Sequence, residues 1–473
     1  MGRSLVFVLL ATAASAATLD DPTARLSRDI FKELIEINTT HADGSTTTAA
    51  EAMARRLRDA GFPAADVQVL GPNDRKGNLV ARLRGTGGSK PILIIGHLDV
   101  VEALRQDWTT DPFQFVEQGG YFYGRGTQDM KGAAAVVLTT FIRLQREGYR
   151  PNRDVILALT ADEEGGEFDG VEWLLKNHRD LVDAAFVVNV DAGGVTTTNG
   201  KPVNLDIEAT EKQYADYQLT VTNPGGHSSL PTPDNAIYQL SAALSRLERT
   251  PFPMELNDVT RTYFRRRAPL ESGQARADME AVLQPRPNAA AVARLTNEPR
   301  YNALLRTTCI PTRVTAGHAN NALPQTAQAI VNCRILPGHS PAETHQALVR
   351  IVADPKVTVE YVDTTGKAAQ APDSKGFPTV LPVPDVLRPL EQAAADLWSG
   401  VPIIPVMETG ATDSIYTMAA GIPSYGFSGI AIDQDDIRAH GKDERVRVSA
   451  FYDGVDFFYR FVKAMTRAAG TTP

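Results

Sequence analysis

At 473 residues the chain is too long for one ordinary domain and points to two. Its 43% hydrophobic and 22% charged residues exclude a disordered chain, and a net charge of −8 argues against nucleic acid or an anionic membrane as partner. Only two cysteines, Cys309 and Cys333, exclude a disulfide scaffold and a Cys-rich metal knuckle.

The N-terminus reads MGRSLVFVLLATAASAATLD. Arg3 supplies a positive start, Leu5–Leu10 an apolar core, and Ala14-Ser15-Ala16 a small-residue cleavage site. Residues 1–16 are therefore expected to be an export signal, leaving a periplasmic or secreted protein with no stable membrane insertion. No other stretch is long and apolar enough to cross a bilayer.

LSRDIFKELIEI and TAAEAMARRLRDAGF have the apolar spacing of amphipathic helices. DVQVL, GNLVARLRG and PILIIG read as strands, and KGAAAVVLTTFIRLQREG as a helix ending at Gly148. DVILALT, DGVEWLLKNHRDL and AAFVVNVD continue the alternation of strand and helix. That alternation predicts an α/β domain with a mostly parallel sheet flanked by helices, whose ligands bind beyond the carboxyl ends of its strands.

Near residue 212 the pattern changes. YADYQLTVTN alternates apolar and polar as a half-exposed antiparallel strand does, and DNAIYQLSAALSRLE is helical. Helices and loops over 251–299, strands at 306–316 and 327–336, the helix SPAETHQALVRIV and the strand KVTVEYV complete a smaller α+β domain. Its expected span is 212–365, inserted between the two halves of the first domain, 17–211 and 366–473. The cysteines fall in two strand-like runs; antiparallel pairing would set them opposite each other, but two free buried thiols is the plainer expectation.

Five acidic or imidazole sites stand just past a strand or at a helix entrance: His97, Asp129, the pair Glu163–Glu164, Asp191 and His440. Each has an ordinary explanation: a strand-end ion pair for His97 with Asp99, a helix cap, a solvated charge run, a strand stop. In a parallel sheet, however, all would share one rim. Two imidazoles and three or more carboxylates suit zinc, manganese or cobalt. Two divalent cations bring four positive charges. Asp129, Glu164 and Asp191 bring three negative ones, and a bridging hydroxide closes the balance, so the set favours a two-metal centre. Glu163 is then a spare carboxylate able to take a proton from water. Asp99, two positions along the strand from His97, can accept a hydrogen bond from that imidazole's other nitrogen.

GHLDVV, GRGTQDMKG, TADEEGG, VVNVDAGG, PGGHSS, NNALPQTAQAIVNCRILPG, GATDS and AHGKDER resemble, in order and spacing, the motifs of the M20 zinc metallopeptidase and deacylase family. The resemblance implies a two-zinc catalytic domain interrupted by a lid domain that often dimerises, hence a homodimer through the lid. It implies that His97 and Asp191 bind one metal, that Glu164 and His440 bind the other, and that Asp129 bridges them. Glu163 would be the general base and Asp99 the partner of His97. His227 would steady the oxyanion in the other subunit. Asn320, Asn321 and Arg334 would hold substrate, and the Gly410, Ala411 and Thr412 loop would offer N–H groups to a substrate carboxylate. The implied substrate is a small peptide or an N-acyl amino acid, with peptide cleavage favoured by the export signal and the likeness to carboxypeptidase S-type sequences. One departure is Glu102, where relatives often carry proline; it reads as a surface variant. Another is Asp191, where some relatives carry glutamate. His41, His178, His318, His339 and His345 match no motif and read as surface or turn residues.

Overall fold

The computed structural model describes residues 20–363, 365–377 and 379–467, so the export-signal reading of residues 1–16 lies outside the described residues. The larger of two main sheets has ten strands. Their order is Val67–Leu70, Asn78–Leu83, Val155–Thr160, Ile92–His97, Phe186–Asn189, Ser424–Gly426, Lys201–Glu211, Gly194–Thr198 and Ala431–Asp433, with Ile403–Glu408 also paired to Lys201–Glu211. The four strands from Val155–Thr160 to Ser424–Gly426 are mutually parallel. Antiparallel neighbours join at both flanks, so the sheet is mixed and parallel at its centre.

The central strands are buried along their length and mostly apolar because both of their faces are covered. Along Ile92–His97, Ile92 and Ile94 enter the core shared with helices Asp21–Glu36, Lys131–Arg146 and Val448–Met465. Leu93 and Ile95 point to the opposite face, against helix Gly170–Asn177. Phe31 stacks on Phe451 with ring centroids 4.7 Å apart, locking the first and last of those helices together. Because the central strands run the same way, His97, the segment after Thr160 and the segment after Asn189 emerge on one rim.

The smaller sheet is antiparallel, in the order Thr308–Ala316, Thr326–Ile335, Gln213–Thr222, Val357–Val362 and Ala368–Ala369. Helices Ala236–Arg249 and Pro341–Val352 bury Leu240, Leu247 and Leu348 against its inner residues Tyr217, Leu219 and Val331. Two details depart from the expected 212–365 unit. The sheet's last strand lies beyond residue 365. Helices Asp258–Arg267, Gly273–Val282, Ala289–Thr296 and Pro299–Leu305 do not belong to this small core. Their Val259, Phe264, Met279, Leu295 and Leu305 are buried in the core of the large sheet. Arg266 there donates to the Ile403 carbonyl at 2.7 Å. Among the described residues, no helix is long and apolar enough to cross a membrane.

Cys309 lies directly opposite Cys333 in the antiparallel register, and the two are bonded, which corrects the expectation of free thiols. The bond closes a loop of 24 residues. Removing it with Cys309→Ala and Cys333→Ala is expected to lower stability by about 3 kcal/mol through the freed chain entropy of the unfolded state. Urea unfolding of both forms measures this, and an unchanged midpoint would contradict it.

Candidate metal centre

His97 closes a fully buried strand and is itself only 1% exposed, so a surface ion pair with Asp99 is excluded. Its Nδ1 lies 3.0 Å from the backbone carbonyl of Asp99, which accepts its proton. That contact assigns the tautomer and leaves Nε2 facing the rim. The Asp99 carboxylate, expected to play this part, is 3.6 Å from Nδ1 and instead accepts the backbone N–H of Glu164 at 3.0 Å. Residue 99 thus orients two groups of the cluster, one through its carbonyl and one through its side chain.

Nε2 of His97 is 3.0 Å from Asp129 Oδ1 and 3.4 Å from Asp191 Oδ1. The other oxygen of Asp129, Oδ2, is 3.0 Å from His440 Nε2, which lies 2.9 Å from Glu164 Oε2. Asp129 therefore stands between two groups of donors, with one oxygen turned to each. Donor atoms of His97, Asp129 and Glu164 fall within 4.8 Å of one another, as do those of His97, Glu163 and Asp191. The carboxylate of Glu163 has no hydrogen-bond partner among the described residues. These nitrogen and oxygen donors fit a borderline divalent cation, and the cluster contains no thiolate.

The protonation pattern follows from crowding. Burial and the neighbouring Asp129 push Glu164 up to about 7. The hydrogen bond with Asp129 and the charge of Glu164 raise His440 to about 9. Burial would raise Asp129, but His440 and His97 bring it below the usual carboxylate range. Protons thus occupy the sites where cations would sit, and loading must displace them. Zinc affinity is therefore expected to rise with pH between 6 and 9, as Glu164 and then His440 lose their protons. Chelator competition at several pH values checks this, and a flat profile would contradict it.

The other expected site residues make no hydrogen bond to this cluster among the described residues. His227 is exposed and pairs with Ala322 in a short ribbon, its Nδ1 2.7 Å from Ser229 Oγ. Ser228 N–H donates to the Asn321 carbonyl at 3.0 Å, so His227 and the exposed Asn320–Asn321 turn are brought together. Arg334 lies on the sheet face opposite Cys333, its guanidinium 4.8 Å from the Tyr214 ring centroid. The Gly410–Thr412 loop differs from expectation. The Gly410 N–H donates to Glu408 at 3.1 Å and the Thr412 N–H to Glu211 at 2.8 Å, so two of its three amides are already taken. Glu102 accepts the Ala42 N–H at 2.9 Å and ties two rim loops together. His41 lies 3.4 Å from Lys76 Nζ, and that ammonium pairs with the buried Asp162 beside Glu163.

Sequence reading assigned no role to Asn189, yet it connects the cluster to this loop. Its Oδ1 accepts the Asp191 N–H at 3.0 Å, and its Nδ2 donates to Thr412 Oγ1 at 3.1 Å and Ser414 Oγ at 3.0 Å. An asparagine inside the apolar run VVNVD was the available signal, since a polar side chain there must find partners.

Comparison with known proteins identifies the family and the fold. The family described as Peptidase family M20/M25/M40 matches residues 93–464. The human N-fatty-acyl-amino acid synthase/hydrolase PM20D1 is 31% identical over 386 residues, 79% of this chain and 74% of that protein. A probable carboxypeptidase S-like 2 of Dictyostelium discoideum is 30% identical over 397 residues, 82% of this chain and 74% of that one. The M20 family metallo-carboxypeptidase Sso-CP2 of Sulfolobus solfataricus superposes with a TM-score of 0.69 at 17% identity, covering 95% of this chain and all of that one. The chain is a member of peptidase family M20/M25/M40, metallohydrolases of amide bonds.

Proposed function

We propose that this protein is an exported two-zinc hydrolase that releases an amino acid from a small peptide by cleaving its amide bond. Cobalt or manganese suits the same donors. The observation that carries the proposal is the convergence of His97, Asp191, Glu164 and His440 on the Asp129 carboxylate, with Glu163 beside them. When bound, the cations polarise the scissile carbonyl and make water nucleophilic at neutral pH. His97 and Asp191 would hold one cation, Glu164 and His440 the other, and Asp129 both.

Glu163 receives the proton of the attacking water on its carboxylate and delivers it to the departing amine nitrogen. In the metal-free cluster, burial and the nearby charges of Asp191, Glu164 and Asp129 push its carboxyl up to about 8. Arg334 offers a planar fork to the substrate carboxylate. Ala411, whose amide is not taken by a carboxylate as those of Gly410 and Thr412 are, is the remaining N–H donor of its loop. The protein acts as a homodimer through the smaller domain. There the edge strand Thr308–Ala316 exposes Ile310 and Val314, and helix Ala236–Arg249 exposes Tyr238. In that dimer the partner subunit's His227 would steady the oxyanion.

A second reading, hydrolysis of N-acyl amino acids, is favoured by the 31% identity to a protein named for N-fatty-acyl-amino acids. Both readings release an amino acid and differ in the acyl side. A panel of Gly-Xaa dipeptides, N-blocked dipeptides and N-acyl amino acids, assayed with added zinc, separates them. Peptide turnover supports the first reading, turnover of N-acyl amino acids alone supports the second, and no turnover of any member would overturn both.

A further inference from the structure

Glu444 is completely buried in the segment that follows His440, and its carboxylate collects four donors. Oε2 accepts Arg125 Nη1 at 2.7 Å and the Gly126 N–H at 3.0 Å. Oε1 accepts the Gln128 N–H at 2.6 Å and the Asp129 N–H at 3.1 Å. Three backbone amides of the GRGTQD turn thus wrap one carboxylate, and the last belongs to the residue placed between the two donor groups. Behind this turn the packing is equally tight: a Cβ on Gly132 would approach the Thr127 carbonyl oxygen to 2.6 Å.

The same carboxylate reaches the His440 loop through its partners. Arg125, clamped by Glu444, donates from Nη2 to the Gly441 carbonyl at 3.0 Å and lies under Trp108, 5.1 Å from the ring centroid. Gln128 closes the other side. Its Oε1 accepts the N–H groups of Arg438 at 2.7 Å and Ala439 at 3.0 Å, and its Nε2 donates to the carbonyls of Asp436 and Arg445 at 3.0 and 2.8 Å. His440 itself sits in a left-handed backbone conformation, φ 62°, which a non-glycine residue keeps only when its surroundings impose it. Asp129 and His440 lie 311 positions apart in the chain, yet their side chains meet at 3.0 Å. Among the described residues, Glu444 is the side chain that grips the Asp129 amide directly and the His440 loop through a single intermediary.

We propose that Glu444 is the positioning residue for the Asp129–His440 half of the metal centre, so that its loss releases the cation on the Glu164–His440 side first. The inference rests on the two-metal reading above. Its test is binding of cobalt(II) to the full chain, followed by visible absorption and chelator competition and read independently of any substrate. Wild-type protein should take up two cobalt ions. Glu444→Gln keeps the volume but presents an amide NH₂ to a ring of donors. It should hold the first ion with nearly unchanged affinity and the second 10- to 100-fold more weakly, in the range known for partners that orient metal ligands. Its one-ion spectrum should match that of His440→Ala and not that of His97→Ala. Gln128→Ala removes the loop clamp without leaving Arg125 unpaired, and it should show the same selective loss even where Glu444→Gln folds poorly. Unchanged affinities in both variants, or equal weakening of both ions, would overturn the positioning role while leaving the two-metal reading intact. Wild-type protein that binds no cobalt would overturn that reading and, with it, this one.

Discussion

Replacing Glu163 with glutamine is expected to cut turnover by about 10²–10⁴-fold, the usual contribution of a positioned proton-transfer group, while leaving bound metal in place. The residue follows strand Val155–Thr160 and adjoins Asp162, whose φ of 63° turns the chain sharply at the rim. Its carboxylate reaches the space shared by His97 and Asp191 without a hydrogen bond from any described residue. Burial and the neighbouring carboxylates raise its pKa in the metal-free cluster, the direction that makes a carboxylate a better proton acceptor. Glutamine preserves size and polarity but cannot carry the proton. Steady-state kcat together with metal content by mass spectrometry decides the matter. A kcat within tenfold of wild type would remove Glu163 as the base. Loss of one ion from this variant would make it a ligand instead, a role its proximity to His97 and Asp191 allows.

Asp129→Ala is expected to abolish the two-metal state and to cost at least about 10³-fold in turnover, since each cation supplies several kcal/mol of charge stabilisation. Among the described residues, Asp129 is the only side chain with one oxygen 3.0 Å from His97 and the other 3.0 Å from His440. Without it, His97 with Asp191 and His440 with Glu164 remain as separate, poorer sites. A second readout needs no substrate. A ligand that binds only the folded state stabilises it, by about 4 kcal/mol at a thousandfold excess over its dissociation constant. Zinc should therefore raise the melting temperature of wild-type protein by several degrees and that of Asp129→Ala far less. Equal zinc-induced shifts in the two proteins would contradict the bridging role.

The large sheet's central strands were legible because burial on both faces leaves apolar runs with chemistry at their ends, as in PILIIGH and AAFVVNVD. Strand Lys201–Glu211 was not. Its LDIEATE carries three acids, yet Glu208 and Glu211 are each 1% exposed and Glu211 holds the Thr412 amide. The stretch over 251–299 was legible as helices and loops but not in its allegiance, because an arginine-rich segment inserted within one domain gives no sign of which core it will cover. The cluster residues were readable because each sits at the end of an element. Glu444 was hidden in the charge run GKDER, where nothing marks one carboxylate as buried and the others as solvated. The two roles of Asp99 show the same limit. Spacing along a strand shows that His97 and Asp99 share a face, but not whether carbonyl or carboxylate meets the imidazole.

The most direct test is anomalous diffraction at the zinc edge from crystals grown with zinc. Two peaks about 3.5–4 Å apart are expected, one bounded by His97, Asp129 and Asp191 and the other by Asp129, Glu164 and His440. A single peak among these residues, or none, would contradict the two-metal centre.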